Sequence, residues 1–456
     1  MKKIIIAILM CGTFSMVHAQ QEVTFHFMRA VPQSTYNNPA FIPKHDTYIG
    51  LFALSSIHAS VLHSGFSYDD VIRRLPSDSL RIDLLALQNA IKNKNYIINE
   101  EDIDLFSMGF RVNPKMYLSL NLSAKNYQVI QYTDDLINLL IDGNAAYLSE
   151  PLNLEIKANG MSYIDAGVGL SYQVNDKLVV GSKVKYLTGL LNVTTKQANL
   201  SLETGEFYEL TIAGDAHIQT SGINEITNGD FDPDISDIKD YFSNNGLGID
   251  IGATYQISDR INVGLSVLDI GSIKWKNDVR EYMLTSETSE FTWRGINVDS
   301  LINGNAGNEI DQMVDSLENN FDFREDSLGT YKSALPMRIY LSGSYRLPYN
   351  VTLGAVLFNE KFRDFHQIGG GVVVNKGFGK TLDLSLSYSV KNNSYNNLGF
   401  GLAARLIPPL QLYIASDNLL STSLKPNSAK GVNLRFGLNF VYNWHKTPAA
   451  IPSSLR

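Results

Sequence analysis

Asp230, Asp232, Asp234 and Asp237 are spaced as a calcium loop spaces its oxygen ligands. Such a loop also needs a glycine at its sixth position for the sharp turn and a bidentate acid at its twelfth. Those positions hold Ile235 and Tyr241, so the run reads as a solvated acidic loop. Gly399-Phe400-Gly401-Leu402-Ala403-Ala404 has the form of a dinucleotide fingerprint, but that motif must join a strand to a helix. These glycines lie inside an alternating strand, where they leave room for something packed against it. Gly369-Gly370-Gly371 is expected to mark a bulge or a close approach. The 8 histidines include no pair at metal spacing. His58, His63, His217 and His366 are read as ordinary polar residues, and no Ser, His and Asp set nominates a triad. No catalytic, cofactor-binding or metal-ligating set is expected, and no enzymatic activity.

The elements that would hold such residues are strands. Val432, Leu434, Phe436, Leu438, Phe440, Tyr442 and Trp444 occupy every second position, with Asn433, Arg435, Gly437, Asn439, Val441 and Asn443 between them. The same dyad recurs at Leu382, Leu384, Leu386, Tyr388 and Val390, and at Met116, Leu118, Leu120 and Leu122. Strands of this kind have one apolar and one mainly polar face. A soluble sandwich buries the apolar face and a membrane barrel turns it outward. Periodicity is the same in both.

Export decides for the barrel. Lys2 and Lys3, the apolar run Ile4 to Met10 and the cleavage site Val17-His18-Ala19 read as a secretory signal over residues 1–19. The 1 cysteine, Cys11, lies within it, so the mature chain has no thiol chemistry and no disulfide. The formal charge of −8 becomes about −10 once the two lysines leave, which excludes nucleic acid as a partner. No stretch after the signal reaches the length of a spanning helix. Aromatics at strand ends (Tyr172, Tyr255, Tyr345, Tyr442 and Trp444) sit where interfacial girdles belong.

An internal repeat sets the hairpins. Tyr172 to Gly181 resembles Tyr255 to Gly264 and, more loosely, Tyr345 to Gly354; each is a strand end, a tight polar turn and the next strand's start. Threading from these turns gives about 16 strands, among them 177–190, 193–203 and 207–219. Short turns and both termini then share the periplasmic side. The long connections 59–103, 125–160, 220–244 and 287–334 become outer loops, with short helices at Thr133 to Ile141, closed by Gly143, and at Asn308 to Glu318.

Asn38-Pro39-Ala40-Phe41, Val267 to Trp275, Ala334-Leu335-Pro336 and Leu412 to Asn418, spread along almost the whole mature chain, resemble outer-membrane barrels of Bacteroidota. The likeness is to an uncharacterised group related to the FadL/TodX long-chain fatty-acid transporters and to PorV. It implies 14 strands, fewer than the threading gives, and an N-terminal hatch containing the Asn-Pro-Ala element. Residues 20–45 are accordingly expected to form a lumen plug, with Phe25, Phe27, Asn38, Pro39, Ala40 and Phe41 as its anchoring or ligand-contacting residues. Pro32, Pro39 and Pro43 agree, since they preclude regular structure there. The departure from the family is a tail of residues 445–456 beyond the aromatic strand.

The expectation is an all-β transmembrane antiparallel β-barrel of about 14 to 16 strands over residues 46–444, in the outer membrane of a Gram-negative bacterium. It carries the lumen plug and short loop helices and uses no cofactor. Expected partners are outer-membrane lipid and a hydrophobic small molecule that is bound or passed; the alternative is a non-enzymatic role beside secretion or surface-assembly proteins.

Overall fold

A computed structural model describes residues 22–74, 79–223, 243–284, 290–294, 324–391, 394–420 and 430–444. The signal, the C-terminal tail, the acidic run Asp230 to Asp237 and the helix read over Asn308 to Glu318 lie outside them.

Period-two alternation gives long strands, and each pairs antiparallel with its neighbours in the chain. The wall runs through an interrupted first strand (His45–Gly50 and Ile57–His63), Asn95–Asn113, Met116–Tyr132, Ile156–Gln173, Leu178–Thr204, Asn245–Gln256 and Ile261–Trp275. It continues through Met337–Leu347, Val351–Phe362, Phe365–Phe378, Leu382–Lys391, Ser394–Ile407, Leu410–Ser416 and Gly431–Trp444. The last strand closes on the first, with Thr47 opposite Tyr442 and Ala59 opposite Leu434. The barrel therefore has 14 strands.

Two of the threaded strands are not wall strands. Residues 193–203 are the outer half of Leu178–Thr204, which runs for 27 residues without a turn. Residues 207–219 fall largely in Leu210–Ser221, which pairs with that outer half and with Val279–Leu284 and Glu290–Trp293. This sheet extends the long strand past the point where Asn245–Gln256 leaves it at Thr188. The outer connections are also shorter than read, because strands continue to His63, from Asn95, to Tyr132 and from Ile156. A tilted spanning strand needs only about 9–11 residues, so these ends stand beyond the membrane.

The direction in which the dyad faces separates barrel from sandwich. Leu341, Leu357, Val372 and Leu386 are more than half exposed, while their alternates Ser342, Val356, Val373 and Ser385 are buried. An apolar outer wall around a filled interior is the arrangement that lipid selects. Tyr172, Tyr255, Tyr345 and Tyr442 are exposed near the short-turn end. Among the described residues no helix is long and apolar enough to cross a membrane. The helix Asp134–Asp142 follows Thr133 and ends at Gly143 with φ 71°.

Inside, the strands stack three kinds of residue along the barrel axis. Reading Leu178–Thr204 from its short-turn end, Gly181 meets Pro39, Lys183 and Lys185 follow, and Leu187 comes next. Reading Asn95–Asn113 toward the same end gives Ile98, then Glu100, Asp102 and Asp104, then Ser107. The lumen thus holds the N-terminal segment at the short-turn side, a charged belt above it and an apolar layer toward the long loops.

Candidate functional site

Residues 22–43 are enclosed by the wall and bond to strands on every side. Val23 and Thr24 donate their backbone N–H groups to the two oxygens of Asp417, each at 2.7 Å. Gln33 donates to Asn439 Oδ1 at 2.7 Å, and Gln411 Nε2 donates to Ala30 O at 2.9 Å. Ser266 donates to Asn37 O and Ser171 to Pro39 O, both at 2.7 Å. An irregular chain frees many backbone groups, and at membrane depth protein alone can satisfy them.

The six residues read as anchoring or ligand-contacting, Phe25, Phe27, Asn38, Pro39, Ala40 and Phe41, lie in this segment and are buried. Phe25 stacks on Tyr413 with centroids 5.8 Å apart, under the Arg435 guanidinium. Phe27 fills the space above Gly354. Asn38 accepts from Ala40 N at 2.9 Å and donates to Ala253 O and Leu265 O. Phe41 packs edge-on to His26 and carries Arg29 on its other contact surface. Close approach at Pro39 depends on Gly181, where a Cβ would stand 2.1 Å from the Pro39 carbonyl oxygen. Gly401 of the fingerprint-like run likewise faces Met28 and Thr24.

Above the segment lies a small cavity lined mainly by charge. Arg338 donates to Glu100 and, at 3.1 Å, to Glu360. Lys185 bridges Asp250 at 2.8 Å and Asp269 at 2.6 Å. Asp269 reaches inward because the strand bulges there: it has φ 59°, and Leu268 beside it is buried as well. A bulge re-aims one side chain in this way. Arg435 donates to Glu22 and stands 3.6 Å from Asp102. Buried ions at such depth are tolerated only when paired.

Toward the long loops the lumen turns apolar. Leu62, Ile98, Tyr127, Val129, Leu187, Ile273, Trp275, Phe362 and Phe365 belong to one buried cluster. The two-residue turn Arg363-Asp364 leans across the lumen, so that Phe362 meets Tyr127 at 5.0 Å and Phe365 meets Tyr96 at 5.2 Å from the opposite wall. Arg363 donates to Thr194 at 2.6 Å, fixing the turn to a third strand.

Sequence reasoning missed Glu22, Asp417, Arg435, Lys185 and Arg338 as site residues. Asp269 and Asp417 stood inside the quoted motifs Val267 to Trp275 and Leu412 to Asn418, yet only spatial pairing shows what they hold.

Residues 39–417 match a family model described as "Family of unknown function (DUF5723)". The chain belongs to this family. The match runs from Pro39 to Asp417, so it takes in most of the wall and the segment's carboxylate partner, while residues 22–38 and the closing strand Gly431–Trp444 lie outside it. No curated protein matches the chain. Solved structures similar to it include the toluene transporter TbuX of Ralstonia pickettii, at 8% identity and TM-score 0.44, covering 90% of this chain and 94% of that one. A FadL homologue of Pseudomonas aeruginosa is similar at 12% identity and TM-score 0.43, covering 94% and 100%. The toluene transporter TodX of Pseudomonas putida is similar at 10% identity and TM-score 0.40, covering 93% and 98%.

Proposed function

We propose that this DUF5723 member is an outer-membrane channel, plugged by residues 22–43, that binds and passes a hydrophobic small molecule. The observation that carries this reading is the apolar layer between Trp275, Tyr127, Phe362 and Phe365. A general diffusion pore keeps a polar, hydrated interior. An apolar constriction excludes hydrated ions by dewetting and lowers the cost of an apolar solute. The charged belt and the segment beneath it close the route on the periplasmic side. Passage then requires two rearrangements in series, separation of the Arg363-Asp364 turn from the opposite wall and displacement of the plug.

The test is fluorescence of a Trp293→Phe/Trp444→Phe variant, which leaves Trp275 as the single reporter. Titration with brominated long-chain fatty acid in detergent is expected to quench Trp275 saturably, and Phe362→Ala is expected to change the midpoint. A linear, non-saturating response like that of free tryptophan contradicts the reading.

A further inference from the structure

The cavity wall carries six carboxylates (Glu22, Glu100, Asp102, Asp104, Asp250 and Asp269) against five lysines and arginines, one negative charge in excess. At its edge His58 faces the acids of the next strand. His58 and Asp102 are cross-strand partners, and Glu100 lies two residues along on the same inward face. One ligand atom from each of the three falls within 4.8 Å of the others. His58 is 2% exposed, and neither of its ring nitrogens has a hydrogen-bond partner; Glu22 is 3.9 Å from Nε2. A buried imidazole with both nitrogens unsatisfied costs free energy that a ligand can recover.

We propose that His58, Glu100 and Asp102 are the ligands of a divalent transition-metal site in the lumen. One imidazole nitrogen with two carboxylates is a zinc-class donor set, leaving a fourth position for water or the Glu22 carboxylate. Calcium and magnesium are disfavoured, because they take oxygen ligands alone. Arg338 and Arg435 share the same carboxylates, so an ion bound there competes with both guanidiniums for its ligands. No sequence spacing announces this site, because its ligands come from two strands separated by the long connection 64–94. The site stands independently of which molecule the channel carries.

The experiment is a cobalt titration of the full mature chain, purified without a histidine tag and stripped with chelator, followed by visible absorption. The expected result is saturation at one ion per chain, displaced by zinc. His58→Gln is expected to weaken binding by about tenfold or more, and Asp102→Asn, made in case the first variant fails to fold, to do the same. His63→Ala serves as control, since the His63 ring already bonds Phe66 O and Tyr132, and it is expected to bind as wild type. Absence of cobalt uptake, or unchanged affinity in a folded His58 or Asp102 variant, overturns the proposal.

Discussion

Arg435, on the strand that closes the barrel, donates to Glu22 at the head of the N-terminal segment, joining residues 413 positions apart in sequence. The pair is buried, and removing one partner of a buried pair typically costs about 3–5 kcal/mol because the other charge is stranded. Arg435→Ala should therefore free the head of the segment. Protease digestion of the folded barrel is expected to remove residues 22–43 faster than in wild type, and an unchanged digestion rate counts against the latch.

Asp417 anchors the same segment by a different route, accepting from Val23 N and Thr24 N and pairing with Lys391 at 2.7 Å. Asp417→Ala removes all three contacts. Hydrogen exchange at Val23 and Thr24 should rise by an order of magnitude or more, in line with losing charge-assisted bonds of about 1.5–3 kcal/mol each.

Gly181 offers a change that acts on the segment and spares the lipid-facing surface. A side chain there collides with the Pro39 backbone, so Gly181→Val should leave a folded, heat-modifiable barrel whose Asn38 to Phe41 turn is displaced. A cysteine at Ala40 in that background should react with a water-soluble maleimide, where the same cysteine in the wild-type barrel stays protected.

On the outer wall, Leu357 lies mid-strand and is 62% exposed. Leu357→Arg places a charge in lipid and should cost about 2–4 kcal/mol near the bilayer midplane. Unfolding in denaturant from vesicles measures it, and a cost near zero would move this strand out of the membrane.

The barrel was legible because one property, the alternation at Val432 to Trp444 and its counterparts, is local and repeats in every wall strand. The threaded count runs high because the alternation breaks at Leu190 and Leu191, which reads as a turn, whereas Leu178–Thr204 passes through a register shift there and continues as one strand. Alternation marks a strand but says nothing of where the membrane ends. The charged belt was not legible at all. Lys185 finds Asp269 across 84 residues and Arg338 finds Glu100 across 238, and the bulge that turns Asp269 inward breaks the very period that reveals the strand. The phenylalanines of the N-terminal segment stand out in the sequence because such side chains need an apolar home, whereas the acids that hold it look like any other surface charge.

The proposed function requires two seals in series, the N-terminal segment below the charged belt and the aromatic contacts of the Arg363-Asp364 turn above it. Single-channel conductance in planar bilayers tests both at once, comparing the intact mature chain with one lacking residues 22–43 and carrying Phe362→Ala and Phe365→Ala. The intact protein should show no open-pore steps and the relieved protein discrete, ohmic ones. Equal conductance of the two, with both shown to be folded and inserted, would contradict a sealed lumen.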